Sequence, residues 1–325
     1  PELAPGTYQL ELRKSGYLKL HLPITIMPNT PIVFDLIPME IDLAEANENL
    51  TRISLFDVQL NSDDALQDNV ISGLLGATND VFSNAAAFDF SATFFRPRGL
   101  DSKYSRVLIN GITLNKLNSG RPQWSNWGGL NDAMRNREFS MGFTPSAYSF
   151  GAPAGALHFN MRATAYRPGG RISYATANRT YTGRVMGSYN TGMTKSNWAF
   201  AVLASRRFGQ EGAIAGTFYD ANSLFIAAEK LLSETHSINL ALLYTPNRRG
   251  RSTALTQEVI DLKGTDYNPN WGYQNDKPRN ARNREIEEPL AIVSHYWKWN
   301  DHSSLNTNLA YQWGTTKNSR IDYTG

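Results

Sequence analysis

Hydrophobic and polar residues alternate with a period of two along much of the second half of the chain. In Ile238–Thr245, Ile238, Leu240, Leu242 and Tyr244 fall on one face and Asn239, Ala241, Leu243 and Thr245 on the other. Leu305–Trp313 repeats the pattern, with Leu305, Leu309, Tyr311 and Trp313 set against Asn306, Asn308, Ala310 and Gln312. Successive side chains of a strand point to opposite faces, so this alternation predicts strands with one apolar face and one small or polar face. Further strands are expected over Arg171–Asn178, Arg184–Asn190, Trp198–Arg206, Ser223–Leu232 and Leu290–Trp299. The segments around Phe225 and Ile292 fit either face, and no helix is expected after Gly169.

The connections carry a second pattern. Those after the second, fourth and sixth strands, Gly192–Ser196, Ser233–Ser237 and Asn300–Ser304, are short, whereas Phe208–Phe218 and Pro246–Pro289 are long. Arg179–Gly183 breaks the parity, being short where a long connection is due. Apolar-out, polar-in strands with short turns at one end and long loops at the other are the pattern of a bacterial transmembrane β-barrel. On this reading Pro246–Pro289 faces the cell exterior and Ser233–Ser237 the periplasm. Leu240 and Leu242 then face lipid, and Ala241 faces a lumen in which an arginine costs little.

Upstream, Pro5–Ile37 alternates as extended structure, with Gly6-Thr7-Tyr8-Gln9-Leu10-Glu11-Leu12 its clearest part. Ile41–Thr51 is acidic and reads as a linker. Ser62–Leu75 has Ser62 as an N-cap, Asp63 and Asp64 in the first turn, and Leu66, Val70 and Leu74 at four-residue spacing, which predicts an amphipathic helix. Phe82–Phe95 follows as a buried strand or turn. The centre of the chain is glycine-punctuated. Phe95, Arg98 and Gly99 lead into an apolar strand, Tyr104–Ile109, that stops at Asn110-Gly111, a pair that tolerates positive φ and marks a turn. After a tryptophan-rich loop, Ser146-Ala147-Tyr148-Ser149-Phe150-Gly151 leads through Ala154-Gly155-Ala156 to the strand Leu157–Met161.

The order of these central elements resembles the plug domain of TonB-dependent outer-membrane receptors, in the version found in the Bacteroidetes, over Ile53 to Ala163. Asn110 stands where the family usually has an acidic residue before the turn glycine, and Glu138-Phe139-Ser140-Met141-Gly142 replaces its usual hydrophobic-acidic strand. Residues 1–40 resemble the C-terminal part of a carboxypeptidase-regulatory-like β-sandwich. The resemblance implies a mainly β chain with a small αβ plug. Residues 1–40 are a β-sandwich remnant, 41–52 a linker, 53–163 the plug, and 164–325 the first strands of a partial antiparallel transmembrane β-barrel, of about 22 strands when complete. Seven strands cannot close such a barrel, so truncation at both ends is expected. The plug motif residues on this reading are Arg98, Gly99, Asn110, Gly111, Gly151 and Gly155.

The resemblance further implies an outer-membrane receptor that imports a nutrient ligand, of the oligosaccharide, peptide or siderophore class, driven by an energy-transducing TonB-type periplasmic partner. That partner pairs with a short segment by β-augmentation, and the residues do not locate the segment. Outer-membrane lipid is implied as a neighbour, with a surface lipoprotein or other outer-membrane subunits as further partners. The alternative is a plug-containing barrel that serves as a structural subunit of an outer-membrane assembly. A soluble β-rich adhesin would explain the alternation but not the central motif.

Composition narrows the chemistry. The chain of 325 residues contains no Cys, so disulfides and thiolate metal sites are excluded. A net charge of +3 without a basic helical face gives no support to a nucleic-acid partner. No run approaches the ~20 apolar residues of a transmembrane helix. No charged and apolar leader precedes Pro1, so a signal peptide is expected to have been cleaved or the chain to begin inside a domain. His21, His158, His236, His295 and His302 share no ligand spacing, and no nucleotide-binding, hydrolase or metalloprotease motif occurs, so neither an enzyme nor a metal or other cofactor is expected.

Ligand contacts are expected instead from flat rings among amides. Trp124, Asn126 and Trp127 lie in the loop Leu117–Asp132, and Tyr267, Trp271 and Tyr273 in the long connection after the fifth strand. The alternative for the tryptophans is packing against the wall. Arg248, Arg249, Arg251, Arg279, Arg282 and Arg284 border that connection and read as solvated residues touching acidic lipid headgroups.

Overall fold

The computed structural model describes residues 6–12, 20–27, 100–140, 142–144, 146, 148–176, 181–300 and 302–321. The expected helix Ser62–Leu75, the segment Phe82–Phe95, the linker, and Arg98 and Gly99 lie outside these residues. The chain divides into two units, Pro1–Arg52 and Ile53–Gly325. In the first, β1 (Gly6–Leu12) pairs antiparallel with β2 (Leu20–Ile26), in register from Gly6 opposite Ile26 to Leu12 opposite Leu20.

The second unit holds a small mixed sheet and a large antiparallel one. The small sheet has the order β4-β3-β6-β5, from β3 (Arg106–Ile109), β4 (Ile112–Thr113), β5 (Arg137–Ser140) and β6 (Ala156–Phe159). β3 and β6 run parallel, and β4 and β5 flank them antiparallel. Asn110 and Gly111, at φ 47° and 82°, form the two-residue turn between β3 and β4. Paired positive φ gives a hairpin turn the twist of its strands, which is why Asn-Gly occupies it.

The large sheet is a nearest-neighbour meander. Its strands are β7 (Gly169–Thr176), β8 (Gly183–Asn190), β9 (Trp198–Gly209), β10 (Tyr219–Leu231), β11 (His236–Tyr244), β12 (Asn247–Gly250), β15 (Asn283–Glu287), β16 (Leu290–Asn300), β17 (Ser303–Gln312) and β18 (Thr315–Asn318). Three lanes are interrupted. β12 continues β11 past Pro246, β16 continues β15 past Glu288-Pro289, and β18 continues β17 past Trp313-Gly314. Counted by lane, the strands are those the alternation predicts. The sheet is an unclosed segment of antiparallel barrel wall, and the fold is mainly β.

The two faces differ as the alternation requires. Along β11, Ser237, Asn239, Ala241 and Leu243 are buried while Ile238, Leu240, Leu242 and Tyr244 are exposed. Phe225 and Ile292 point inward, and their neighbours Leu224, Ile226 and Val293 point outward. Cross-strand register joins Val202, Ile226 and Leu242 on the outer face, so the exposed apolar side chains form a continuous band. Aromatics cluster at both borders, with Trp198 stacked on Phe200 and Trp297 edge-on to Trp299 near the short turns, and Tyr311 stacked on Trp313 at the other end. An apolar band of this extent bounded by aromatic rings is the pattern of a transmembrane barrel's outer surface. No helix among the described residues is long and apolar enough to cross a membrane.

The inner face is covered by the small sheet. Val107, Ile109, Trp124, Trp127, Leu130, Leu157 and Phe159 share one core with Met186, Leu203, Phe225, Leu243 and Ile292 of the wall. Small inward residues admit this close approach, since Ala201, Ala227, Ala241 and Ile292 follow one another in register. Ala241 therefore faces a dry core and no open lumen, which corrects the expectation that an arginine there costs little.

The long connection also departs from expectation. It contains a helix, α1 (Gln257–Lys263), closed by Gly264, whose N–H donates to Ile260 O at 2.8 Å. α1 has no buried residue, and its apolar positions Val259, Ile260 and Leu262 form too short a run to mark an amphipathic helix. A hairpin of β13 (Trp271–Gln274) and β14 (Lys277–Asn280) follows, turning on Asn275 and Asp276 at φ 51° and 58°.

Candidate functional site

The tryptophan loop is where the small sheet and the wall meet most polar groups. Residues Trp124–Trp127 form one turn of 3-10 helix, with the two indoles edge-on at 5.4 Å between centroids. Their C-terminal carbonyls would be buried unpaired without wall side chains that reach inward. Ser205 Oγ donates to Gly129 O at 2.7 Å, Ser223 Oγ to Gly128 O at 2.6 Å, and Thr245 Oγ1 to Asn126 O at 2.6 Å. Three adjacent lanes of the wall thus supply hydroxyls to one loop, which satisfies buried acceptors and fixes the loop's height on the wall. Gly129, at φ +77°, is required there, because a Cβ would lie 2.6 Å from both Ser205 Oγ and Ser223 Oγ.

Glu288, at the break between β15 and β16, completes the docking. Its carboxylate accepts from Lys116 Nζ at 2.9 Å, Asn126 Nδ2 at 2.7 Å and Thr316 Oγ1 at 2.7 Å. Gln123 Nε2 donates to Asn126 Oδ1 at 3.2 Å and holds that amide in place. Burial alone would raise the Glu288 carboxyl, but the hydrogen bonds from Lys116, Thr316 and Asn126 and the Lys116 charge outweigh it, so the group titrates below the ordinary carboxylate range. Its stabilising contribution is present above the unfolded-state value and is lost as pH falls through the lowered folded-state value. Glu288→Gln is expected to cost about 1–3 kcal/mol and to remove that part of the acid sensitivity. Hydrogen exchange of the 117–130 segment, measured on both proteins between neutral and acid pH, checks this; identical protection in both would show that Glu288 does not hold the loop.

A second junction lies toward the short turns, where the chain leaves the small sheet. Arg162 pairs with the buried carboxylate of Glu229, and Arg162 Nη2 also donates to Ser237 Oγ at 3.2 Å. Thr164 Oγ1 donates to Glu229 Oε2 at 2.7 Å, and Ala163 N to Asn239 Oδ1 at 3.0 Å. The Arg162 guanidinium lies 3.8 Å over the Tyr296 ring. Beside it opens a cavity of about 520 Å³ lined by Tyr148, Arg162, His236, Tyr296 and Trp297 among others. His236 Nδ1 and His295 Nε2 lie 3.0 Å apart across β11 and β16. The histidines' scattered positions in sequence hid this pair, which strand register alone brings together. No group of three or more metal-ligating residues occurs among the described residues.

The expected ligand residues fall into two kinds. Trp124 and Trp127 are 3% and 2% exposed and Asn126 is buried, so all three are spent on packing and on the Glu288 network. Trp271 packs on Gly216, whose φ of +69° and missing side chain make room for the indole. Tyr273, 77% exposed, and Tyr267 offer free ring surface on the long connection. Trp271 and Tyr273 lie in the β13–β14 hairpin, a two-stranded sheet separate from the wall strands that hold the tryptophan loop. The arginines also depart from expectation. Arg248 faces outward and pairs with Glu285 at 2.9 Å, but Arg249 is buried on the inner face and out of reach of lipid headgroups.

Of the plug-motif residues within the described part, Gly151 and Gly155 adopt φ +83° and +91°. Gly155 O accepts from Arg106 N at 3.0 Å, which ties the start of β3 to the start of β6. His158 stacks on Tyr148 at 4.0 Å, and its Nε2 accepts from Gly111 N at 3.2 Å; burial lowers its pKa to about 4 and keeps it a neutral acceptor.

Several solved structures are similar to this chain. The ferric citrate transporter FecA in its unliganded form is 14% identical over 66% of this chain and 32% of its own, with a TM-score of 0.49. The ferric enterobactin receptor PfeA is 16% identical over 69% and 35%, with a TM-score of 0.43. The ferripyoverdine receptor of the outer membrane of Pseudomonas aeruginosa is 11% identical over 67% and 28%, with a TM-score of 0.45. The chain thus spans about a third of the length of these structures. No protein-family model and no curated protein matches it.

Proposed function

We propose that this chain is the plug and adjoining wall of a TonB-dependent receptor in the bacterial outer membrane, which imports a nutrient ligand of the oligosaccharide, peptide or siderophore class. The observation that carries the reading is the two-faced wall. Its outer face is an apolar band with aromatic borders, and its inner face holds the small sheet through a shared apolar core, hydroxyls and a carboxylate. Lipid supports the first face and an occluding plug the second. Energy coupling to a TonB-type periplasmic partner and association with a surface lipoprotein belong to the same proposal and rest on the sequence resemblance. Tyr267 and Tyr273 are the proposed ligand contacts on the long connection. The second reading, a structural subunit that retains the plug, is favoured by one observation: Trp124 and Trp127 are fully occupied in the core.

The expected topology places Gly264 outside the cell and Glu234 in the periplasm. Epitope tags at the two positions, probed on intact cells, test it. Labelling at Gly264 alone supports the receptor reading, and labelling at Glu234 alone reverses the orientation and removes it.

A further inference from the structure

The two long connections of the wall, residues 210–218 between β9 and β10 and residues 251–282 between β12 and β15, are bonded to each other. Two asparagines of the longer one make the joint. Asn268, 1% exposed, donates through Nδ2 to Ala215 O at 2.8 Å and to Arg251 O at 3.2 Å, and its Oδ1 accepts from Asn270 N at 3.0 Å. Asn280, 2% exposed, donates through Nδ2 to Gly216 O and to Arg251 O, both at 2.9 Å, and its Oδ1 accepts from Arg282 N at 2.8 Å. Each buried amide thus spends its donors and its acceptor on main chain, which is what fixes a buried polar group in one position.

The main chain and an indole seal the same joint. Ala215 N donates to Asp266 O at 2.9 Å, and Gly250 N donates to Phe218 O at 2.9 Å at its base. Asn280 lies opposite Trp271 across the β13–β14 hairpin, and the Trp271 ring occupies the space that a side chain at Gly216 would fill. Parting the connections would break the Asn268–Ala215, Asn280–Gly216 and Ala215–Asp266 bonds together and uncover the ring. Contacts that must break together open as one unit. The exposed tyrosines stand beside the joint, Tyr267 next to Asn268 in sequence, and Tyr273 two residues after Trp271 on the same face of β13.

We propose that the two connections form one preformed cap that moves as a single body, with Asn268 and Asn280 as the positioning residues that hold Tyr267 and Tyr273 ready for ligand. The role rests on the receptor reading, which puts the cap outside the cell. Its rigidity adds that a ligand meets a finished surface and pays little for loop ordering.

Hydrogen exchange of the full protein in detergent, with no ligand added, tests the cap. Asn280→Ala is expected to speed exchange about tenfold or more in residues 211–218 as well as in 266–282, while the wall strands keep the parent rate. Acceleration confined to 266–282, or extending to the wall strands, overturns the cap. Gly216→Ala, on the other side of the joint, should loosen 266–282 as well, because its methyl group displaces the Trp271 ring, and it keeps the test decisive if Asn280→Ala does not fold. Tyr273→Ala should leave both segments at the parent rate. Coupled exchange in a protein labelled only at Glu234 on intact cells keeps the cap and loses the receptor reading. Uncoupled exchange in a protein labelled at Gly264 loses the cap and keeps that reading.

Discussion

Arginine at Ala241 should abolish the folded protein, while arginine one residue later, at Leu242, should leave the core intact. Ala241 is 0% exposed in a row of small residues against which the small sheet packs. The longer side chain would overpack that row and bury an unpaired charge, effects that together exceed about 4 kcal/mol. Leu242 lies on the outer band, where arginine costs roughly 2–4 kcal/mol in a bilayer and almost nothing in a micelle that lets the head reach water. Urea unfolding of both variants in detergent, beside their yield in membranes, separates the two positions. Equal stability in detergent would mean that Ala241 does not face the core.

Trp127→Ala should have the next largest effect. The indole is among the largest fully buried side chains, and removing one of this size costs about 3–5 kcal/mol. The loss should appear as a lowered unfolding midpoint and early proteolysis within the 117–130 segment. Tyr273→Ala, on a ring with free surface, should stay within about 0.5 kcal/mol of the parent, so any loss of uptake it causes would reflect ligand contact. A stable Trp127→Ala protein with impaired uptake would return the tryptophan loop to the ligand site.

The strands were legible because most carry a period-two signal set by their own residues, with an exposed apolar face on one side and the small sheet packed on the other. Ile238, Leu240 and Leu242 show it without help from any neighbour. Asn110-Gly111 was equally plain, since its turn depends on two residues alone. The docking network was hidden because its parts are remote in sequence. Nothing near Glu288 indicates Lys116 or Asn126, and nothing near Ser205 indicates Gly129. The inward turn of Arg249 was masked for a related reason. In a run such as Arg248-Arg249-Gly250-Arg251 every position is basic or small, so alternation has no contrast to reveal, and only pairing with Arg284 fixes the face. Burial of Trp124 and Trp127 was legible only as the alternative to ligand contact, because a loop flanked by turn residues is normally exposed, whereas here wall hydroxyls make it an interior segment.

The Asn110-Gly111 turn has a consequence for chemical ageing. In an open chain the glycine nitrogen of an Asn-Gly pair attacks the asparagine amide carbon, closes a succinimide and releases ammonia. In the folded protein both participants are engaged. Asn110, 2% exposed, accepts from Met161 N at 2.7 Å through its side-chain oxygen, and Gly111 N donates to His158 Nε2 at 3.2 Å. The native fold thus shields its most labile bond, and deamidated Asn110 in a preparation becomes a tally of the time molecules have spent with this turn undone.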